Sequence, residues 1–205
     1  ERAPVTRSAN AKRAWQRMLS GRRLDLLDPS PLDVEIEDIA HGLSRVARWN
    51  GQTRGDFSFS VAQHCVIVEE IAGRLSPALD RRWRLAALLH DAAEYVIGDL
   101  ISPFKAAVGI DYKAFERRLE SAIHIRFGLP PHPPAQIAKL LKQADLQAAY
   151  FEAKHLAGFS EDEAKGFFGK PLVPAPDMTP RPPGEAHALF LARFTALGGA
   201  QGAGV

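Results

Sequence analysis

An all-α fold, with about six or seven helices and at most a small β-hairpin near the N-terminus, is what this sequence predicts, on three observations. Apolar residues recur every three or four positions along most of the chain. Glycine or Asn-Gly punctuates several of these runs. Extended character is confined to one short stretch, residues 23–36. A length of 205 residues, 46% hydrophobic and 24% charged, suits one ordinary globular domain. A net charge of +2 gives no ground for nucleic-acid or membrane binding. No apolar run approaches the roughly 20 residues of a membrane helix, and no leader pattern opens the chain. The single cysteine, Cys65, excludes an intrachain disulfide and fits a reducing cytoplasm.

Taken in order, residues 10–20 read as a short amphipathic helix with Ala14 and Met18 on one side, ended by Gly21. Residues 23–36 hold RLDLL, DPSP and DVEI, a turn between two extended pieces. Ile36, Ile39, Ala40, Leu43, Val46 and Ala47 set a helix over 36–49, stopped by Asn50-Gly51. Ser60 and Gln63 form a capping-box pattern ahead of Val61, Cys65, Val68, Ala72 and Leu75. Residues 81–97 are apolar nearly all round after the first turn, the mark of a central buried helix, and Gly98 ends it. Two more helices follow over 111–127 and 135–156. The proline-rich stretch 171–184 is a loop, and 185–197 a last helix with Leu189, Phe190 and Phe194 as its apolar face. The expected organisation is a single domain over 1–197, with its core at 36–160, and a disordered tail over 198–205.

Polar residues interrupt the apolar stripes at three places. His90–Asp91 is a common dipeptide and weak evidence by itself. Its setting, among Ala86, Ala87, Ala92 and Ala93, is more telling, because a buried aspartate needs a cation or hydrogen bonds. His64 lies between Val61 and Val68 on the inward side of its helix, and Asp145 between Leu141 and Ala148. Singly, each is more simply a hydrogen-bonded core residue or a salt-bridge partner. Together, on three helices, they are candidate ligands of one metal. Two imidazoles and two carboxylates suit Mn²⁺, Fe²⁺, Co²⁺ or Zn²⁺ better than Mg²⁺ or Ca²⁺. On a helix, Glu94 falls beside both His90 and Asp91, where a carboxylate can orient a water or accept its proton.

The segments SVAQH, LLHDAAEYVIGDLISPFK and KQADLQAAY resemble the HD-domain phosphohydrolases, in particular their 5′-deoxynucleotidase-like branch. The stretch from Gly21 to Thr53 looks like the N-terminal part of a bacterial and phage subgroup of that branch. The resemblance covers roughly residues 20–160. It implies a helical fold and one divalent transition metal held by His64, His90, Asp91 and Asp145. It implies hydrolysis at phosphorus by a water that the metal activates, with Glu94 and Asp99 as acid/base and water-positioning residues. It implies phosphate anchoring by Arg48 and Lys105, and a place for Trp49 against the sugar. Members of this branch are often oligomers, so a homodimer or larger assembly is expected. The spacing from Arg48 to His64 is one residue longer than in the deoxynucleotidases, which bears on pocket shape. Two-metal relatives use further histidines between the doublet and the last aspartate. His132 here lies in a proline-rich turn, which favours one metal.

The expected activity is removal of phosphate from nucleotides, chiefly deoxynucleoside 5′-monophosphates. Cleavage of nucleoside di- or triphosphates is the close rival. A non-catalytic nucleotide sensor would keep the metal cage and is expected to lack Glu94 or Asp99, yet both are present. A purely structural helical protein would hold no metal. No glycine-rich phosphate loop occurs, and Cys65 does not share a helical face with its neighbour His64.

Overall fold

The structure, a computed structural model, describes residues 14–99 and 110–199. Lys105 and residues 200–205 of the expected tail lie outside the described residues. The architecture is all-α with one small antiparallel hairpin, β1 (Trp15–Arg17) with β2 (Arg23–Asp25). The hairpin replaces the helix expected over residues 10–20. Trp15 pairs with Asp25, Gln16 with Leu24 and Arg17 with Arg23. Gly21 serves the turn at φ +89° rather than ending a helix. Leu24 is fully buried, and the Arg17 and Arg23 guanidiniums lie over the Trp15 ring at 5.5 and 4.5 Å. The DVEI stretch forms no strand. Ser30 caps a 3₁₀ turn over Pro31–Asp33, and α1 (Ile36–Leu43) begins soon after.

Helix α1 is shorter than its apolar spacing suggests. Beyond Ser44 the chain bridges to the entry of the next helix: Ala47 pairs with Ser60, and Arg48 N donates to the Phe59 carbonyl at 2.8 Å. That bridge fixes Arg48–Gly51, a tight 3₁₀ turn. Helix α2 (Val61–Leu75) follows, with the Ser60 hydroxyl accepting from Gln63 N. Only half of the expected capping box forms, because the Gln63 amide is engaged elsewhere, with the Thr179 carbonyl and Arg181 N–H. Ten of the fifteen residues of α2 are buried, so this helix is the centre of the molecule.

The stretch expected as one helix over 81–97 is two, α3 (Arg81–Leu88) and α4 (Glu94–Ile97), joined by tight turns. Helix α5 spans Ile110–Arg126 and α6 Ala135–His155. Helix α7 (Glu161–Phe168) opens with a complete Ser160/Glu163 capping box, a signal present in the sequence but not read above. Helix α8 (Pro183–Ala196) closes the fold. Helix α2 packs against α6, α3, α8 and α1; α7 lies on α6, and α4 on α1. Glu69, buried on α2, ties three helices together, with Arg84 of α3 at 2.6 Å and Arg193 of α8 at 2.8 Å. No helix among the described residues is long and apolar enough to cross a membrane.

Candidate metal centre

Local chemistry explains why the chain breaks at His90–Asp91. In a continuous helix the Ala87 carbonyl would accept from Asp91 N. Here it accepts from His90, through the ring Nδ1 at 2.9 Å and the backbone N at 3.4 Å. The next turns close over three residues, Ala92 N to Leu89 O and Glu94 N to Asp91 O, each at 3.0 Å. A histidine side chain has taken a backbone acceptor, and the helix gives way around it. The same bond fixes the tautomer. A carbonyl only accepts, so Nδ1 carries the proton and Nε2 presents a lone pair.

His64, fully buried on α2, is set the same way. Its Nδ1 donates to Glu152 Oε1 at 2.5 Å, which leaves Nε2 as the acceptor. The two Nε2 atoms then face each other 3.3 Å apart. Asp91 Oδ2 lies 3.1 Å from His90 Nε2 and 3.4 Å from His64 Nε2, and Asp145 Oδ1 lies 3.4 Å from His64 Nε2. Donors about 2.1 Å from one ion, at angles near 100°, are separated by about this much. Two imidazole nitrogens backed by two carboxylates favour positive charge between them, a metal ion or, without one, protons on Nε2. The donor set therefore fits a divalent metal, and His64, His90 and Asp145 form a metal-type cluster among the described residues.

The local field points the same way. Burial opposes charge on His64, as does Arg48, yet Glu152, Asp145 and Asp91 together raise its pKa well above the ordinary imidazole value. Burial opposes charge on His90 too, and Asp91 outweighs it. Asp91 and Asp145 are held below the usual carboxylate range against their own burial, by His90 and His64 respectively. The site is built to favour positive charge where the Nε2 atoms meet. Cys65 offers no competing nucleophile, since burial pushes its thiol up while His90 pulls weakly against this.

The other expected residues fall around this point. Asp99 and Arg48 meet, Nη1 to Oδ2 at 3.1 Å. Glu94, buried at the start of α4, is close enough for its charge to act on Arg48. Lys142 holds the second oxygen of Asp145 at 2.8 Å from the exposed side. His124 Nδ1 donates to the Pro131 carbonyl at 3.3 Å.

Glu152 is the residue that apolar patterning does not single out. It follows Asp145 by seven residues, two turns along the same face of α6, and that spacing was its only signal. Fully buried, it accepts from His64 on one oxygen. On the other it accepts from Arg48 Nε at 3.2 Å, Arg48 Nη2 at 3.1 Å and Trp49 Nε1 at 2.8 Å. Arg48 and His64 pull its pKa down against burial, so it is ionised. Trp49 sits in the left-handed region at φ 56°, and Asn50 after it at φ 52°. For Trp49 this costs roughly 1–2 kcal/mol, while asparagine adopts the region more readily. The Trp49 ring is held edge-on by Phe159 at 5.6 Å and Phe168 at 6.0 Å.

Comparison with known proteins identifies the family. The HD domain family model matches residues 61–149, a span that begins with α2 and contains His64, His90, Asp91 and Asp145. The chain is 59% identical over 189 residues to an uncharacterized protein of Rhodobacter capsulatus, covering 91% of this chain and 96% of that protein. It is 32% identical over 170 residues to the uncharacterized protein YfdR of Escherichia coli, covering 80% and 85%. The chain belongs to the HD-domain family, a superfamily of metal-dependent phosphohydrolases.

Proposed function

We propose that this hydrolase removes the phosphate of nucleotides, deoxynucleoside 5′-monophosphates foremost, using one divalent transition metal held by His64, His90, Asp91 and Asp145. The observation that carries the reading is the junction of those donors with the Arg48–Trp49 turn through Glu152, with Asp99 on the other side of Arg48. A divalent cation there would supply Lewis acidity and a water acidic enough to act near neutral pH. Arg48 binds the phosphate. Three of its five N–H groups are taken by Asp99 and Glu152, which leaves two for one phosphate group. That supports a monophosphate over a polyphosphate chain. Glu94 accepts the proton of the attacking water, and Asp99 positions both Arg48 and that water. Trp49 borders the sugar, where its ring disfavours a 2′-hydroxyl. Lys105 is assigned a phosphate on the resemblance of its segment alone. The chain acts on free nucleotides in the cytoplasm, as a homodimer or larger assembly.

Nucleoside and deoxynucleoside mono-, di- and triphosphates, each with Mn²⁺, Co²⁺ or Zn²⁺, test this by the products released. The expected result is inorganic phosphate and a deoxynucleoside from the monophosphates. Release of triphosphate or pyrophosphate, with monophosphates untouched, would overturn the substrate assignment. The purified chain should carry about one equivalent of metal, and His90→Ala or Asp91→Ala should lose it. Full occupancy in both variants would overturn the ligand assignment.

A further inference from the structure

We infer that Glu152 couples the metal to the substrate arm, so that loading of the His64 centre orders Arg48 and Trp49, and the arm in turn tunes metal affinity. The inference rests on the metal reading above and goes beyond it. The two oxygens of this carboxylate serve different masters. Oε1 accepts from the Nδ1 of His64, and Oε2 accepts the N–H groups of Arg48 and Trp49. A cation on the far nitrogen of His64 makes Nδ1–H a stronger donor and fixes the rotation of the carboxylate plane. Oε2 is then fixed toward Trp49, whose indole N–H reaches it at 2.8 Å.

The backbone gives this contact a consequence. Trp49 and Asn50 are both held at positive φ, directly after the arginine of the arm. Strain at Trp49 persists only while its surroundings hold it, and the indole–carboxylate bond is one such restraint. Loosening Glu152 removes that restraint and two of the three N–H contacts of Arg48, while the Ala47–Ser60 bridge and the Asp99 contact stay. A full carboxylate is required. Glutamine can accept from His64 or from the Arg48–Trp49 side, but its other end is an NH₂ that faces donors. Arg48, Trp49 and Glu152 all lie outside the matched residues 61–149, so the coupling is carried by parts of the chain that flank the HD domain. Coupling between two binding events is reciprocal, so it can be read from either side.

The experiment follows the indole N–H resonances of the chain's three tryptophans by NMR, that of Trp49 assigned with Trp49→Phe, while diamagnetic Zn²⁺ is added to wild type and Glu152→Gln. Zinc binding is measured in parallel by calorimetry. In wild type the Trp49 resonance should move along the zinc isotherm. Glu152→Gln should bind zinc about 10- to 100-fold more weakly, and at saturation its Trp49 resonance should stay where it was. By reciprocity, Trp49→Phe should weaken zinc binding about threefold or more, although it touches no ligand. A Trp49 resonance that zinc leaves still in wild type, or moves equally in saturated Glu152→Gln, overturns the coupling while leaving the metal centre standing. A wild-type chain that takes up no zinc overturns both. Should Glu152→Gln fail to fold, Trp49→Phe decides: unchanged zinc affinity overturns the inference.

Discussion

Glu94 and Glu120 show how burial gives one residue type two different uses. Glu94→Gln keeps the side chain nearly isosteric and leaves His64, His90, Asp91 and Asp145 intact, so metal content and stability should stay near wild type. What is lost is a group able to accept a proton, and kcat should fall about 10²- to 10⁴-fold with little change in nucleotide affinity. Wild-type turnover in that variant would pass the role to Asp99. Glu120, on α5, has its pKa lifted to about 7, by burial first and by Glu116 and Asp91 besides, with His90 pulling the other way. Its folded pKa lies above its unfolded one, so the folded chain holds this proton more tightly. The resulting stability is complete below about pH 4 and is lost as pH rises through 7. Urea unfolding of metal-free protein should therefore show Glu120→Gln gaining roughly 1–3 kcal/mol over wild type between pH 5 and 8. Parallel pH profiles for the two proteins would show that Glu120 keeps its proton no better folded than unfolded.

At the level of elements, what was legible followed from local periodicity, and what was not followed from contacts distant in sequence or from one side chain's choice of partner. Helices α2, α5, α6 and α8 fall where their apolar spacing places them, because each buries a continuous stripe. The hairpin was hidden because Trp15 and Asp25 pair across a turn that residues 10–20 alone do not reveal. The break between α3 and α4 was hidden because it depends on the His90 ring seizing the Ala87 carbonyl. The clustering of His64, His90 and Asp145 was legible as polar interruptions of apolar stripes. Glu152 was not, since a carboxylate near the end of a long helix reads as solvated. Helices α1 and α4 meet at Gly42, where an added Cβ would come within 2.8 Å of Tyr95 Cβ and 3.0 Å of its carbonyl oxygen. Neither backbone can yield without moving α4, which carries Glu94 next to Tyr95. Gly42→Ala should destabilise by about 1–3 kcal/mol despite alanine's better helix propensity. That lowers Tm by several degrees in a chain of this size, and turnover should fall with it. A melting temperature at or above wild type would contradict the close approach.

The molecule as a whole is organised from α2 outward, and this bears on assembly. Phe190 and Phe194, named above as the apolar face of the last helix, are fully buried within the chain. The aromatic side of α8 is thus spent internally, but Leu189, expected on the same face, is exposed, and with Phe167 and Leu172 it is surface a partner could use. Light scattering at micromolar concentration should give the mass of a homodimer or larger. A monomer mass would set the assembly proposal aside without touching the active centre.

The proline-rich stretch between α7 and α8 is fastened along its length. The buried Gln147 amide donates to the Lys170 carbonyl and accepts from Leu172 N–H; the buried Gln63 amide does the same for Thr179 and Arg181, and Arg74 holds the Pro174 carbonyl. Each glutamine imitates a strand edge for a segment that has no strand to pair with. A protease must draw a substrate into an extended, detached conformation before cutting it, and here detachment strips two buried amides of their partners. The longest described segment without regular structure should therefore resist a broad-specificity protease as long as the helices do. In Gln63→Ala or Gln147→Ala it should become the first place cut.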